Sequence, residues 1–296
     1  MGKASRLKQD TTRQQKIAAQ RAAARRAEVR NRVLIASISV VVVVAIVVTF
    51  VLVKVNSKSS TANGSTLTGA ALTSLVSDVT TVPPSTLNAV GKGTAFAHIM
   101  ISIPGSTLTS SGKPEVLYMG AEYCPYCATE RWAMAVALSR FGTFSGVGAI
   151  HSSSSDQPAS IPTLTFYKSS YTSSYLVFTP VEMQDVSKAA LQAPTAQQQQ
   201  LLNKYDAAPY TQSAGSIPFI DFGNKYMISG ASYDYTVLQG KTWSQVAAAL
   251  KVPSSAIAKG AVGTANVLSA AICSLTGNQP ASVCTSAAVT AAKGQL

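Results

Sequence analysis

Charge is scarce in this chain, and histidine scarcer still: 12% of its 296 residues are Asp, Glu, Lys or Arg, and His98 and His151 are its two histidines. No Gly-rich phosphate loop and no Ser/His/Asp arrangement stands out, so nucleotide-dependent and serine-hydrolase chemistry has no visible carrier. A zinc centre usually takes four ligands, which two histidines and two separated cysteine pairs supply poorly. No internal repeat is present. What remains is a chain that is 47% apolar, enough to exclude wholesale disorder. Ser, Thr, Ala and Gln are left to cover much of the surface.

The formal net charge of +12 is unevenly placed. Residues 1–32 carry ten basic side chains against Asp10 and Glu28, whereas the other 264 residues carry fourteen basic and ten acidic ones. The overall charge is therefore no argument for nucleic acid, and no nucleic-acid partner is expected. Residues 33–53 follow as 21 positions without a charge, interrupted only by Ser37, Ser39 and Thr49. At ~1.5 Å rise per residue such a run matches a hydrocarbon core of roughly 30 Å. No small-residue cleavage site follows it, so it reads as an anchor rather than a signal peptide. The basic flank places the N-terminus in the cytoplasm and residues 54–296 outside, on a single-pass protein of the cell membrane.

Beyond the span, residues 55–70 are rich in Ser, Thr, Asn and Gly and read as a stalk. Residues 71–113 are expected to form a lead-in of short elements. Residues 115–121 (EVLYMGA) have the pattern of a buried strand, and 128–141 (ATERWAMAVALSRF) that of a largely buried helix stopped by Gly142. Residues 147–150 read as a second strand, and 163–183 as two strands around a polar turn. A helix is expected over 194–205, a hairpin turning at Gly223-Asn224 within 216–230, and a short helix over 242–250. The Ala-rich tail is expected to be helical around Cys273 and Cys284.

Between the first strand and the first helix stands Cys124-Pro125-Tyr126-Cys127. A thiol at a helix start meets unpaired backbone N–H groups and the positive end of the macrodipole, which favour the thiolate. Cys124 is the expected nucleophile and Cys127, one turn on, the resolving thiol. Pro125 suits the first turn, where its missing N–H costs nothing. Cys273 and Cys284 enclose ten residues with Gly277 and Pro280, and a structural disulfide is the expected reading, with a second redox pair as the alternative.

Ala121-Glu122-Tyr123-Cys124 resembles the entry to the active site of thioredoxins, and the Pro-Tyr dipeptide resembles that of glutaredoxins. Ser216-Ile217-Pro218-Phe219-Ile220-Asp221 with Gly223-Asn224-Lys225-Tyr226 resembles the cis-proline strand and hairpin of periplasmic thiol oxidoreductases. The element order also follows the thioredoxin-like topology with an insertion. More closely, the stretches GAEYCPYCATERWAMAVALSRFG, SIPFIDFGNKYMISGASY and ICSLTGNQPASVC resemble a membrane-anchored archaeal and actinobacterial family labelled as domain of unknown function 929. The resemblance implies an α/β, thioredoxin-like fold with an insertion, preceded by a single transmembrane helix. The resemblance to thioredoxins, glutaredoxins and periplasmic thiol oxidoreductases implies that Pro218 packs beside the Cys124/Cys127 pair, and that Ile217, Tyr126 and Pro125 meet the substrate. One departure is Tyr118, which stands where thioredoxins carry a buried acid; Glu122 and Glu130 lie nearer the motif and are read as solvated. A second proline, Pro162, also mimics the cis-proline strand, but Pro218 is preferred because a helix precedes it and a hairpin follows.

The expected organisation is a basic cytoplasmic arm (1–32), a transmembrane helix (33–53), a stalk and lead-in (54–113), a thioredoxin-like domain (114–252) and a helical extension with the second cysteine pair (253–296). The expected function is thiol–disulfide exchange with protein thiols or disulfides, with no cofactor and no resident metal. Two alternatives stay open: a non-catalytic binding module whose cysteine pairs are structural, and metal delivery through Cys124 and Cys127 with His151. The direction of exchange, the substrate, the redox partner and the oligomeric state are not readable from the residues.

Overall fold

The computed structural model describes residues 66–296; the basic arm, the expected membrane span and most of the stalk lie outside the described residues. Among the described residues no helix is long and apolar enough to cross a membrane. The described part is a mixed α/β structure built on one central sheet.

In chain order the elements begin with helices α1 (Gly69–Thr80) and α2 (Pro84–Val90), then strands β1 (Ile101–Ser102), β2 (Thr109–Ser110) and β3 (Lys113–Gly120). Helix α3 (Pro125–Leu138) follows, then β4 (Thr143–Ser145), β5 (Gly148–His151), β6 (Pro162–Thr165), β7 (Ser170–Thr172) and β8 (Val177–Glu182). Helix α4 (Ala196–Tyr205), the hairpin β9 (Phe219–Phe222) and β10 (Tyr226–Ser229), and helix α5 (Trp243–Leu250) come next. A π-helical stretch (Ala258–Val262) leads into α6 (Gly263–Leu275), and α7 (Ala281–Cys284) and α8 (Ala287–Ala292) close the chain.

Strand β3 is the centre of the sheet. It pairs in parallel with β8 and antiparallel with β9, which continues through β10 to β1, while β2 folds back on its first residues. Both faces of β3 are covered, which is why its residues read as an unbroken apolar run rather than an alternation. Val116 and Tyr118 point into a core with Phe178, Ile220 and Phe222 and with Trp132 and Leu138 of α3. Leu117 and Met119 point the other way, into a smaller core with Phe219, Met227 and Leu202 and Tyr205 of α4. The hairpin turns at Gly223 and Asn224, both at positive φ (64° and 56°), as the turn pair requires. Helices α4 and α5 each open with a capping box, Thr195 with Gln198 and Thr242 with Gln245.

The structure differs from the sequence reading at four points. The expected second strand, β5, does not enter the central sheet; it pairs with β6 in a separate two-stranded ribbon. That ribbon is bonded down by two indoles, Trp132 Nε1 donating to the carbonyl of Pro162 and Trp243 Nε1 to those of Ile150 and Thr163. The place beside β3 goes to β8, and residues 163–183 hold parts of three strands rather than two. The end of the expected stalk is already folded, since Leu67 N–H bonds the Ala149 carbonyl at 3.2 Å and α1 starts at Gly69. The tail is helical as expected, yet α6 packs on α3 and shares its core instead of standing apart. The Cys273–Cys284 disulfide is formed, and both cysteines are buried.

Candidate active site

Helix α3 is buried at every position except Tyr126. Its start is set by Cys124, whose backbone is extended (φ −73°, ψ 123°), and by Pro125 at the first helical position. Cys124 acts as the N-cap: its Sγ accepts the Cys127 N–H at 3.3 Å. The cap places the sulfur over the free N–H groups of the first turn, where a negative charge is stabilised. Cys124 is 4% exposed and Cys127 fully buried, and neither is in a disulfide.

The Ile217–Pro218 peptide is cis, and the Ile217 carbonyl accepts from Cys124 Sγ at 3.7 Å. Ile217 also joins Tyr123 against the apolar cluster of Ala121, Cys124 and Cys127. Pro162, the competing proline, is not in a cis peptide; its carbonyl instead holds Trp132. The structure therefore brings Pro125, Tyr126, Ile217 and Pro218 to the cysteine pair. Tyr126, 41% exposed, stands edge-on to Tyr235 with ring centroids 5.7 Å apart.

The two sulfurs differ in acidity. The Cys124 thiol is lowered from its ordinary value, first by a hydrogen bond from the Cys127 side chain, then by the Cys127 N–H and the charge of Arg131, against the opposing cost of burial. The Cys127 thiol is raised well above its ordinary value, chiefly by burial. The first thiol of the pair is therefore the more acidic and the second the less.

Beneath the pair lies a charged group that sequence reasoning missed. Arg131 and Glu182 are both fully buried and form a two-point ion pair: Nε donates to Oε1 at 2.8 Å and Nη2 to Oε2 at 2.7 Å. Arg131 Nη2 also donates to the Ala121 carbonyl at 2.7 Å, the same oxygen that accepts the Cys124 N–H at 3.2 Å. The signal was available as two adjacent charges, Glu130 and Arg131, inside an otherwise apolar helix; such charges must find partners.

Glu122 and Glu130 are not solvated, contrary to expectation. Glu122 is 8% exposed and accepts from Thr165 Oγ1 at 2.6 Å. Glu130 is fully buried and accepts from the backbone N–H and hydroxyl of Ser232 at 2.9 and 3.0 Å. Burial, partly offset by those bonds, pushes Glu130 up to about 7. Tyr118 is buried as well, and burial raises its hydroxyl well above the ordinary value, so it stays neutral. Among the described residues no group of three or more His, Cys, Asp or Glu is placed to hold a metal ion, and the His151 ring lies tilted against Trp243, 4.2 Å between ring centroids.

Fold and site together define a mixed α/β protein with a Cys-x-x-Cys pair at a strand-to-helix junction, the first cysteine capping the helix. The chain belongs to the family described as Domain of unknown function (DUF929), which it matches over residues 100–274, a range that includes the cysteine pair, Arg131, Glu182 and Pro218. No curated protein and no solved structure matches the chain.

Proposed function

We propose that this protein is a thiol–disulfide oxidoreductase of thioredoxin-like architecture, acting on protein substrates through Cys124 and Cys127. The observation that carries the reading is the helix cap at Cys124, which joins a lowered thiol to the Ile217 carbonyl at 3.7 Å. The thioredoxin-like assignment is supported by β3 lying between a parallel β8 and an antiparallel hairpin, with the motif helix on one face. The N-terminal segment 33–53 would hold this domain on the extracytoplasmic face of the cell membrane.

In the reductive direction, the Cys124 thiolate attacks one sulfur of a substrate disulfide. The substrate S–S bond breaks, a mixed disulfide with Cys124 forms, and the released substrate thiolate takes a proton. Cys127 then loses its proton and attacks Cys124 Sγ, expelling the second substrate thiolate, which is protonated in turn. Two electrons pass to the substrate, and the protein is left with a Cys124–Cys127 disulfide. The oxidative direction is the reverse, with a substrate dithiol as the reductant.

The 4% exposure of Cys124 favours a second reading, a non-catalytic binding module in which the pair is inert. A redox titration of the full chain in glutathione buffers, with thiol trapping and mass spectrometry of the 124/127 pair, separates the two. A reversible couple between about −120 and −270 mV supports exchange; a pair locked below about −300 mV is structural. A pair that never forms a disulfide removes the oxidoreductase reading.

A further inference from the structure

Resting on that reading, we propose that Arg131, held by Glu182, is a positioning residue that stabilises the reduced form of the Cys124/Cys127 couple and makes the protein an oxidant of substrate dithiols. The reduced couple carries a thiolate, whereas the disulfide carries no charge. A fixed cation beside the sulfurs therefore lowers the free energy of the reduced state alone, and the potential rises.

Arg131 is placed for this. It is fully buried, so its field is weakly screened. Its Nη2 shares the Ala121 carbonyl with the Cys124 N–H, which ties the guanidinium to the loop that carries the nucleophile. Glu182 takes up Nε and Nη2, but the buried Nη1 has no hydrogen-bond partner among the described residues. The groups that face it are Glu182, Tyr118, Glu122 and the two cysteines; its carbon lies 5.9 Å from the centre of the Tyr118 ring. Tyr118 remains neutral, so no anion from that strand position opposes the thiolate. Arg131 lowers both cysteine thiols, consistent with the placement.

In the oxidising turnover one thiolate of a substrate dithiol attacks the Cys124–Cys127 disulfide at Cys124. Cys127 leaves and is protonated, and the second substrate thiol, losing its proton, attacks the substrate sulfur of the mixed disulfide. Cys124 leaves as a thiolate beside the helix start and Arg131. Two electrons pass from the substrate to the protein, and the substrate gains a disulfide.

The test is the glutathione equilibrium constant of the 124/127 pair in the full chain, for wild type and two variants, together with the pH dependence of Cys124 alkylation. E182Q removes the compensating anion and keeps the cation; R131M/E182M removes both without leaving a buried charge unpaired. E182Q is expected to shift the equilibrium at least threefold toward the dithiol and to move the onset of alkylation to lower pH. R131M/E182M is expected to shift it at least tenfold toward the disulfide, about 30 mV for a two-electron couple, with onset at higher pH. A role in packing alone would not move the two variants in opposite directions. If both shift the same way, or neither shifts while the wild-type couple cycles normally, this inference is overturned and the proposed function stands. If the wild-type pair never forms a disulfide, the proposed function fails and this inference with it.

Discussion

Glu130→Gln removes an ionisable proton from the back of the motif helix while keeping its shape. Burial holds the Glu130 carboxyl at about 7 in the folded protein, against 4.5 for the free side chain. Between those two values the folded state keeps a proton that the unfolded chain has lost. Unfolding then releases that proton, so stability falls as pH rises, by about 1.4 kcal/mol per pH unit. The favourable contribution is complete below about pH 4.5, and its loss is complete once pH has risen through about 7, a change of about 3 kcal/mol. A glutamine at this position can accept the Ser232 N–H and donate to the Ser232 hydroxyl, the two bonds that Glu130 now accepts, without titrating. Urea unfolding of wild type and variant at a series of pH values measures the difference directly. Relative to wild type, the variant should gain about 3 kcal/mol between pH 4.5 and pH 8. Asp221, also pushed up to about 7 by burial, is present in both proteins and cancels in the difference. A difference that stays constant across that pH range would refute the account of Glu130 as a buried acid that folds protonated.

Replacing Cys127 with Ala should trap mixed disulfides between Cys124 and substrate proteins, visible as reducible adducts on non-reducing gels, while Cys124→Ala should form none. The double variant Cys273→Ala/Cys284→Ala opens a disulfide spanning a sequence separation of 11, which should lower stability by about 3 kcal/mol in thermal or urea unfolding. It should leave the 124/127 couple unchanged; a shifted couple would point to the second pair taking part in exchange. Gly120→Ala would place a Cβ against Tyr118 Oη and 2.5 Å from its Cζ, inside a packed core. A loss of about 1–3 kcal/mol is expected, read from the denaturation midpoint, and an unchanged midpoint would show that Tyr118 can swing away.

Local chemistry made much of this protein legible in the sequence. The run before Cys124 is apolar at every position because both faces of β3 are covered, and the cysteine caps the helix because Pro125 can only begin one. Gly223-Asn224 turns the hairpin because both residues tolerate positive φ. Those features depend on neighbours a few residues away. The choice of β8 over β5 beside β3 does not: both are short strands, and contacts with distant residues, among them α3, the indole bonds of Trp132 and Trp243 and the Leu67 bond to Ala149, hold the β5–β6 ribbon elsewhere. The preference for Pro218 over Pro162 rested on element order, and the structure supplies its physical content in the Ile217 carbonyl beside Cys124. Burial is likewise a property of the assembled fold. Nothing near Glu130 in the sequence marks its partner, but Ser232, 102 residues away, bonds it within the core. Arg131 and Glu182 are 51 residues apart, one on α3 and the other at the end of β8, and meet only in the folded chain. The residues alone determined where the helix begins and that Cys124 stands at its start. The tertiary structure alone decided which charges lie beside them, because a buried ion pair forms between elements distant in sequence.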